Sequence, residues 1–265
     1  MIIDSFLYYN EADIAEIRIN ELKDVVDKFI VLSGETTWRG NPNSYEFPAH
    51  LHEIADIEVR KVAFPRGRLF WEAERWMRNN MISLVKRFGP NDRVIFSDAD
   101  EIARASVIKS LDAGRYALEI DQYYYHFENY IRHHDCMFIA PVSHLKAMYE
   151  MRFEWGRAAP GTPQPNPRDQ RRRSKYFPIV EGAGWEFSFF GDVPFIQNKI
   201  REYSHTEINI PEYVDAANIA RRVDNDIDII DRPKEGAPKG SLPQYVLDNK
   251  EKFARFWRNS DKDNS

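Results

Sequence analysis

The stretch Val94-Ile95-Phe96-Ser97-Asp98-Ala99-Asp100-Glu101-Ile102 constrains this chain more than any other. A short apolar run bounded by turn residues reads as a strand buried on both faces. Here the strand delivers three acids within four residues at its C-terminal end. In open α/β sheets that end is where ligands bind. Carboxylates packed this closely repel one another unless a cation is near. Asp98 and Asp100, one residue apart in the turn, can both reach one hard cation, which makes them candidate ligands for Mn²⁺ or Mg²⁺. Such an ion can hold a diphosphate and neutralise charge as a leaving group departs. The plain alternative is a solvated acidic turn, and the wholly apolar lead-in argues against it.

The pattern around this segment predicts an α/β fold. Residues 2–9 read as a buried first strand, with Asn10 placed to cap a helix over 13–26. That helix carries Ile14, Ile17, Leu22 and Val25 on its apolar side, and Arg18 and Glu21, three apart, are spaced to pair. Strands are expected over 28–33 and 58–64, separated by a punctuated loop at 34–48. Pro65-Arg66-Gly67 turns into a helix over 70–88 with Met77, Met81, Leu84 and Val85 on its core face. The acidic strand follows at 93–97. A long strand then runs through Tyr116, Leu118 and Ile120 into Tyr123-Tyr124-Tyr125, and another covers 137–142. Alternating β and α units imply a mostly parallel, Rossmann-like central sheet with helices on both faces.

Beyond this, residues 157–174 read as a proline-rich loop with the basic run Arg171-Arg172-Arg173. Residues 179–190 are strand-like, and Asp192 can cap a short helix reaching Lys199 and Ile200. Helices are expected over 211–223 and 242–257, before a polar tail at 260–265. The expected organisation is a catalytic domain over 1–210 with a C-terminal helical extension over 211–265 packed on it.

Composition narrows the partners. At 265 residues and a formal charge of -5, the chain lacks the basic excess that nucleic-acid binding needs, so no nucleic-acid partner is expected. A small phosphate-bearing ligand, held by local cations or a metal, remains compatible. Cys136 is the sole cysteine, which excludes an internal disulfide and a cysteine-built zinc site. The sequence opens directly into a strand and contains no apolar run of bilayer length, so a cytoplasmic protein without a membrane span is expected.

Further residues could carry chemistry, each beside an ordinary structural reading. His205 is a candidate third metal ligand, with Glu207 in the same region, although a lone histidine is commonly structural. In Gly182-Ala183-Gly184-Trp185-Glu186 the small residues permit close backbone approach, Trp185 could stack on a sugar, and Glu186 could remove a proton from an acceptor hydroxyl. The competing reading is a bulge with a core tryptophan and a surface glutamate. Trp71, Glu74 and Arg78 read first as a helix-surface pair beside an aromatic. The tyrosine run around Tyr124 is either a sugar platform or core.

With these residues in view, the chain resembles glycosyltransferase family 17, the β-1,4-mannosyl-glycoprotein β-1,4-N-acetylglucosaminyltransferases. The resemblance rests on motifs in order: Phe6-Leu7-Tyr8-Tyr9-Asn10-Glu11, then Glu16 to Leu22, the Trp71, Glu74 and Arg78 spacing, and Ser97-Asp98-Ala99-Asp100-Glu101-Ile102. It resumes at Gly182 to Ser188, Lys199-Ile200 and Ser204-His205-Thr206-Glu207, and closes with Leu242 to Leu247 before Phe253. The resemblance implies a GT-A-like, inverting transferase using a UDP-sugar, N-acetylglucosamine foremost, with Mn²⁺ held by Asp98 and Asp100. It implies that Asn10, Glu11, Arg18, Glu21, Trp71, Glu74 and Arg78 line or brace the donor pocket, with Ser97, Ala99 and Lys199 beside them. Glu101, Tyr124, Trp185 and Glu207 are then expected on the sugar or acceptor side. The family usually carries histidine at the position of Glu186. Eukaryotic members carry a Golgi anchor not seen here, so the expected acceptor is a glycan or glycoconjugate of another kind, such as a microbial or viral surface glycan.

Two other classes stay open at this level. A strand ending in Asp-x-Asp also opens phosphohydrolases that form an aspartyl-phosphate, with Asp98 as nucleophile. The mid-chain position of the motif and Ile102 after it disfavour that reading. A non-catalytic carbohydrate-binding protein would use Trp185 and the tyrosines for stacking and the acids for structural calcium.

Overall fold

Ile2–Leu7 forms β1, and from Ile3 onward every residue of it is buried. That follows from its position: β2 (Lys28–Gly34) and β4 (Arg93–Asp98) both pair with it in parallel. A strand enclosed on both edges and both faces sees no water. The computed structural model describes residues 1–65, 67, 70–145 and 177–258. The expected loop at 157–174 with its arginine run, Arg66 of the expected turn, and the tail at 260–265 lie outside them.

The sheet has nine strands among the described residues, in the order β3-β2-β1-β4-β7-β6-β9-β5, with β8 paired to β6. The further strands are β3 (Ile57–Val62), β5 (Glu101–Ala103), β6 (Tyr116–Tyr124), β7 (Tyr130–Pro141), β8 (Ile179–Val180) and β9 (Gly184–Ser188). Parallel pairings join β3, β2, β1 and β4, as well as β6 with β8 and β9, while β7 and β5 run antiparallel to their neighbours. The mostly parallel α/β sheet expected from the sequence is therefore present.

Helices cover both faces because strand side chains alternate. Helix α1 (Ala12–Leu22) lays Ala15, Ile19 and Leu22 on Phe6, Phe29, Val31 and Ile95. Helix α2 (Trp71–Val85) lays Met77, Met81, Ile82 and Val85 on Ile3, Leu7, Ile30, Leu32, Val94 and Phe96. Each such Ile, Leu, Val, Met or Phe side chain contributes roughly 1.5–3 kcal/mol by leaving water. The two helices thereby clamp the strands that carry the acidic turn.

Several local expectations are corrected. Asn10 does not cap α1; Glu11 stands at the cap, and its Oε2 instead accepts from the backbone N–H groups of Tyr9 and Asn10. Arg18 does not pair with Glu21, because the buried Asp4 carboxylate claims it, and Glu21 accepts from the Ala105 N–H at the start of α3 (Ala105–Ser110). Strand β7 begins seven residues earlier than the expected 137, at Tyr130, so that it can pair along all of β6. The stretch 179–190 is two strands, since Gly182 takes a left-handed φ of 61° between them.

Asp192 does cap α4 (Val193–Glu202), accepting from the Phe195 N–H at 2.9 Å. The helix expected over 211–223 is split into α5 (Pro211–Val214) and α6 (Ala216–Asp224), because Asp215 accepts from the Asn218 N–H and restarts the chain as a new cap. The helix expected over 242–257 shrinks to α7 (Gln244–Asp248) and a 3₁₀ turn at Ala254–Phe256. Val246, Phe253 and Phe256 nevertheless share one core with Ile14, Ile17, Trp185 and Phe187. Among the described residues no helix is long and apolar enough to cross a membrane.

Candidate active site

The acidic turn after β4 is held from beneath by one arginine. Arg18, fully buried on α1, donates through Nε and Nη2 to the two oxygens of Asp4 at 2.6 and 2.5 Å, and from Nη2 to Ser97 Oγ at 2.7 Å. Its Nη1 donates to the backbone carbonyls of Asp98 at 2.8 Å and Glu101 at 2.7 Å. Its guanidinium also lies over the Phe6 ring. A planar fork with five donors suits this task, since it ties two strands and a turn together at fixed angles. The Glu101 carboxylate closes the turn by accepting from the Asp98 N–H at 2.8 Å.

Above the turn is a cleft of about 750 Å³, part of it open to solvent, lined among others by Tyr8, Glu11, Trp38, Asp98, Asp100 and Lys199. Arg78 binds Asp98 through both terminal nitrogens, at 2.7 and 3.0 Å, and gives Nε to Glu74 at 2.9 Å. Glu74 in turn accepts from Ser204. The expected helix-surface pair is thus corrected: Glu74 and Arg78 are both buried, and they point inward at the acidic turn. Lys199 of α4 meets Asp100 at 2.8 Å and Glu11 at 3.4 Å.

Electrostatically this is a carboxylate-rich site. Burial, together with Glu186, Glu11 and Asp98, raises the Asp100 carboxyl to about 6 against the opposing pull of Lys199. Burial works against the charge on the Lys199 ammonium, but Asp100 and Glu11 outweigh it and hold that proton more tightly than usual. Two oxygen-donor side chains opening on one cleft, with carboxylates in excess of their cations, match what a hard divalent ion requires. Asp98 and Asp100 therefore fit such an ion.

A second polar group continues from the first. Ser188 Oγ lies 3.2 Å from Asp100 Oδ2 and 2.7 Å from Glu186 Oε1. Glu186 Oε2 lies 2.6 Å from Nδ1 of His134 on β7. Glu101, His134 and Glu186 bring one ligand-type atom each within 4.8 Å of one another. Burial opposes charge on Glu186, but His134, Ser188 and Gln122 outweigh it and set its carboxyl at about 2. The sequence reading passed over His134, which looks like one of two adjacent histidines in a strand. Only the pairing of β6 with both β7 and β9 puts it beside Glu186.

The remaining expected residues divide. His205 Nδ1 faces Glu207 at 2.5 Å, and its ring packs edge-on against Trp71 at 4.3 Å. Trp185 offers no sugar platform, because it is buried under Arg104 and donates to the Ser241 carbonyl. Tyr124 is buried likewise and accepts from Arg232. Ser97 and Ala99 are buried in the turn, Ser97 on Arg18, so neither side chain faces a donor.

Nearly the whole chain matches a known family: residues 1–257 fit the description of glycosyltransferase family 17. Human β-1,4-mannosyl-glycoprotein 4-β-N-acetylglucosaminyltransferase is 31% identical over 121 residues, 40% of this chain and 23% of that protein. The mouse protein of the same description is 31% identical over 121 residues, 40% of this chain and 22% of its own length. The match thus spans less than a quarter of either relative. Among solved structures, S. aureus TarS shares 14% identity at a TM-score of 0.31, over 46% of this chain and 36% of that one.

Proposed function

The chain belongs to glycosyltransferase family 17, and from that premise we propose that it moves N-acetylglucosamine from a UDP donor to a hydroxyl of a glycan or glycoconjugate, with inversion. Glycosyl transfer comes with the family. The donor, the metal and the stereochemistry are our reading, in a GT-A-type arrangement. One observation carries it: the two acids of the turn open on one cleft, and each is flanked by a cation, Asp98 by the buried Arg78 and Asp100 by the half-buried Lys199.

In this reading Lys199 and Arg78 position and charge-balance Asp98 and Asp100 while a diphosphate lies across the turn. Arg18 keeps the turn rigid, so little reorganisation is needed as charge develops on the leaving oxygen. Asp98 and Asp100 would hold Mn²⁺ or Mg²⁺, which when bound supplies Lewis-acid stabilisation of the departing diphosphate. Glu74 holds Arg78 from behind, and Glu11 does the same for Lys199. Glu186, one hydroxyl away from Asp100, belongs to the side where the acceptor loses its proton.

A thermal-shift series with UDP-N-acetylglucosamine, with and without Mn²⁺, tests this. A ligand bound only to the folded state adds about 2.7 kcal/mol at a hundredfold excess over its dissociation constant. We expect a metal-dependent rise that Asp100→Ala abolishes. An equal rise without any divalent ion removes the metal from the reading, and no rise with any UDP-sugar removes the donor.

A further inference from the structure

Helix α4 carries Lys199 into the cleft and is tied down on either side of it. Asn198, the residue before it, donates to Tyr9 Oη at 3.2 Å in the chain beyond β1. Glu202, at the end of the same helix, accepts from Thr37 Oγ1 at 2.5 Å and from Asn41 Nδ2 at 2.9 Å in the loop beyond β2. Tyr9, Thr37 and Glu202 all line the cleft with Lys199. The Lys199 side chain keeps 11% of its surface accessible, and its Nζ lies 2.8 Å from Asp100 Oδ2, 3.4 Å from Glu11 Oε1 and 5.6 Å from the centre of the Phe189 ring. The ammonium is thus a fixed positive charge beside a carboxylate that the reading above gives to a divalent ion.

Charge decides what such a neighbour does. Among the described residues that line the cleft, carboxylates outnumber Lys and Arg five to two. Arg78 is committed to Glu74 and Asp98, and Glu202 accepts from uncharged donors. A diphosphate entering alone meets this negative excess, and the Lys199 ammonium works against it. A divalent ion entering alone is drawn in by the same excess, but at Asp100 it comes up against the ammonium. Both forces grow as water is excluded from the site. Lys199 therefore acts with opposite sign on the two ligands.

We propose that Lys199 sets how this cleft fills: it disfavours a divalent ion by itself and favours the diphosphate, so that ion and nucleotide are taken up together. This rests on the donor and metal reading above. An ammonium has three N–H donors, and Asp100 and Glu11 account for two, which leaves the third for a phosphate oxygen. A compact point charge serves here where a planar fork would not, because it can face two carboxylates and a phosphate at once. The negative charge that the diphosphate brings offsets the repulsion between ion and ammonium. By linkage, whatever affinity the ion lends the nucleotide, the nucleotide lends the ion.

Calorimetric titration of the full chain tests this with two probes: Mn²⁺ alone, and UDP with Mn²⁺ held well above each chain's own Mn²⁺ dissociation constant. Lys199→Gln keeps an amide donor for Asp100 and drops the charge. It is expected to tighten Mn²⁺ alone by about tenfold and to weaken UDP by about tenfold, about 1.4 kcal/mol in each direction. Lys199→Arg, which keeps the charge, should bind Mn²⁺ as the parent does. A lysine that only braced Asp100 would shift both affinities the same way or neither. Mn²⁺ binding to folded Lys199→Gln that is weaker, or unchanged within about threefold, overturns the proposal and leaves the donor reading intact, and so does unchanged UDP binding. The parent chain supplies a check that needs no variant: saturating UDP should tighten Mn²⁺ by about tenfold or more, and equal Mn²⁺ affinity with and without UDP overturns the proposal. A parent chain that binds no UDP in the presence of Mn²⁺ removes the donor reading and the proposal together.

Discussion

Two buried ion-pair assemblies lie back to back across the turn after β4, and they differ in what surrounds them. Below the turn, Arg18 and Asp4 are wholly enclosed, paired through Nε and Nη2 of the guanidinium, and every further hydrogen bond of Arg18 goes to Ser97 or to backbone carbonyls of the turn. Above it, Asp98 keeps 23% of its side chain accessible and shares a cleft with Asp100, Glu11 and Lys199. The lower assembly is complete in itself. The upper one holds more negative charge than its own cations balance, and burial, together with the neighbouring carboxylates, raises the Asp100 carboxyl to about 6. A closed pair specifies geometry, whereas an open, unbalanced one is available to a ligand.

The largest effect should come from breaking the closed assembly. Arg18→Met leaves the Asp4 carboxylate buried without its partner, and removing one member of such a pair costs about 3–5 kcal/mol. Denaturant unfolding should show a loss of that size. The same substitution frees the carbonyls of Asp98 and Glu101, so donor binding should weaken in whatever fraction remains folded. A loss under about 1 kcal/mol would mean that Arg18 is not the brace it appears in the geometry.

How much of this was legible beforehand follows from the range of the interactions. The apolar lead-in and the acids of residues 94–102 announce a buried strand and its turn, and the helices around Ile14 and Met77 show their periodicity, because these are local patterns. Long-range partners leave no such trace. Arg18 lies three residues from Glu21 and pairs instead with Asp4, 14 residues back. Arg78 looks like half of a surface pair and reaches Asp98, 20 residues on. His134 and Glu186 stand 52 residues apart and meet only because β6 lies between their strands. Trp185 and Tyr124 read equally well as platform or core, and burial alone decided for the core. His205, singled out for its chemistry, has local partners of its own, Glu207 on Nδ1 and the Trp71 ring.

A middle-sized effect tests the joint between the two assemblies. β5 approaches β9 so closely that a Cβ on Gly184 would sit 2.1 Å from the Ile102 carbonyl oxygen and 3.0 Å from Ala103 Cα. Both neighbours are backbone, so the strands themselves must part. Overpacking of this kind costs about 1–3 kcal/mol. Because Glu101 pairs in register with Glu186 along these strands, Gly184→Ala should also lower turnover beyond what the stability loss explains. Measuring kcat at a temperature well below the variant's Tm separates the two contributions. Normal turnover there would show that the spacing of β5 and β9 does not govern the site.

The smallest stability effect should come from the open assembly, and it is the sharper half of the comparison. Asp98→Asn removes one charge from Arg78, but Arg78 keeps Glu74 at 2.9 Å, and the new amide faces a partly accessible cleft. Relief of repulsion with Asp100 offsets part of the lost pairing. We therefore expect stability within about 1 kcal/mol of the parent, the range of accessible ion pairs. Turnover, by contrast, should fall by about 100-fold or more, since each factor of ten in rate corresponds to about 1.36 kcal/mol of lost transition-state stabilisation. An Asp98→Asn chain as unstable as Arg18→Met would show that both assemblies serve only the fold, whereas a stable chain with undiminished turnover would take Asp98 out of the chemistry.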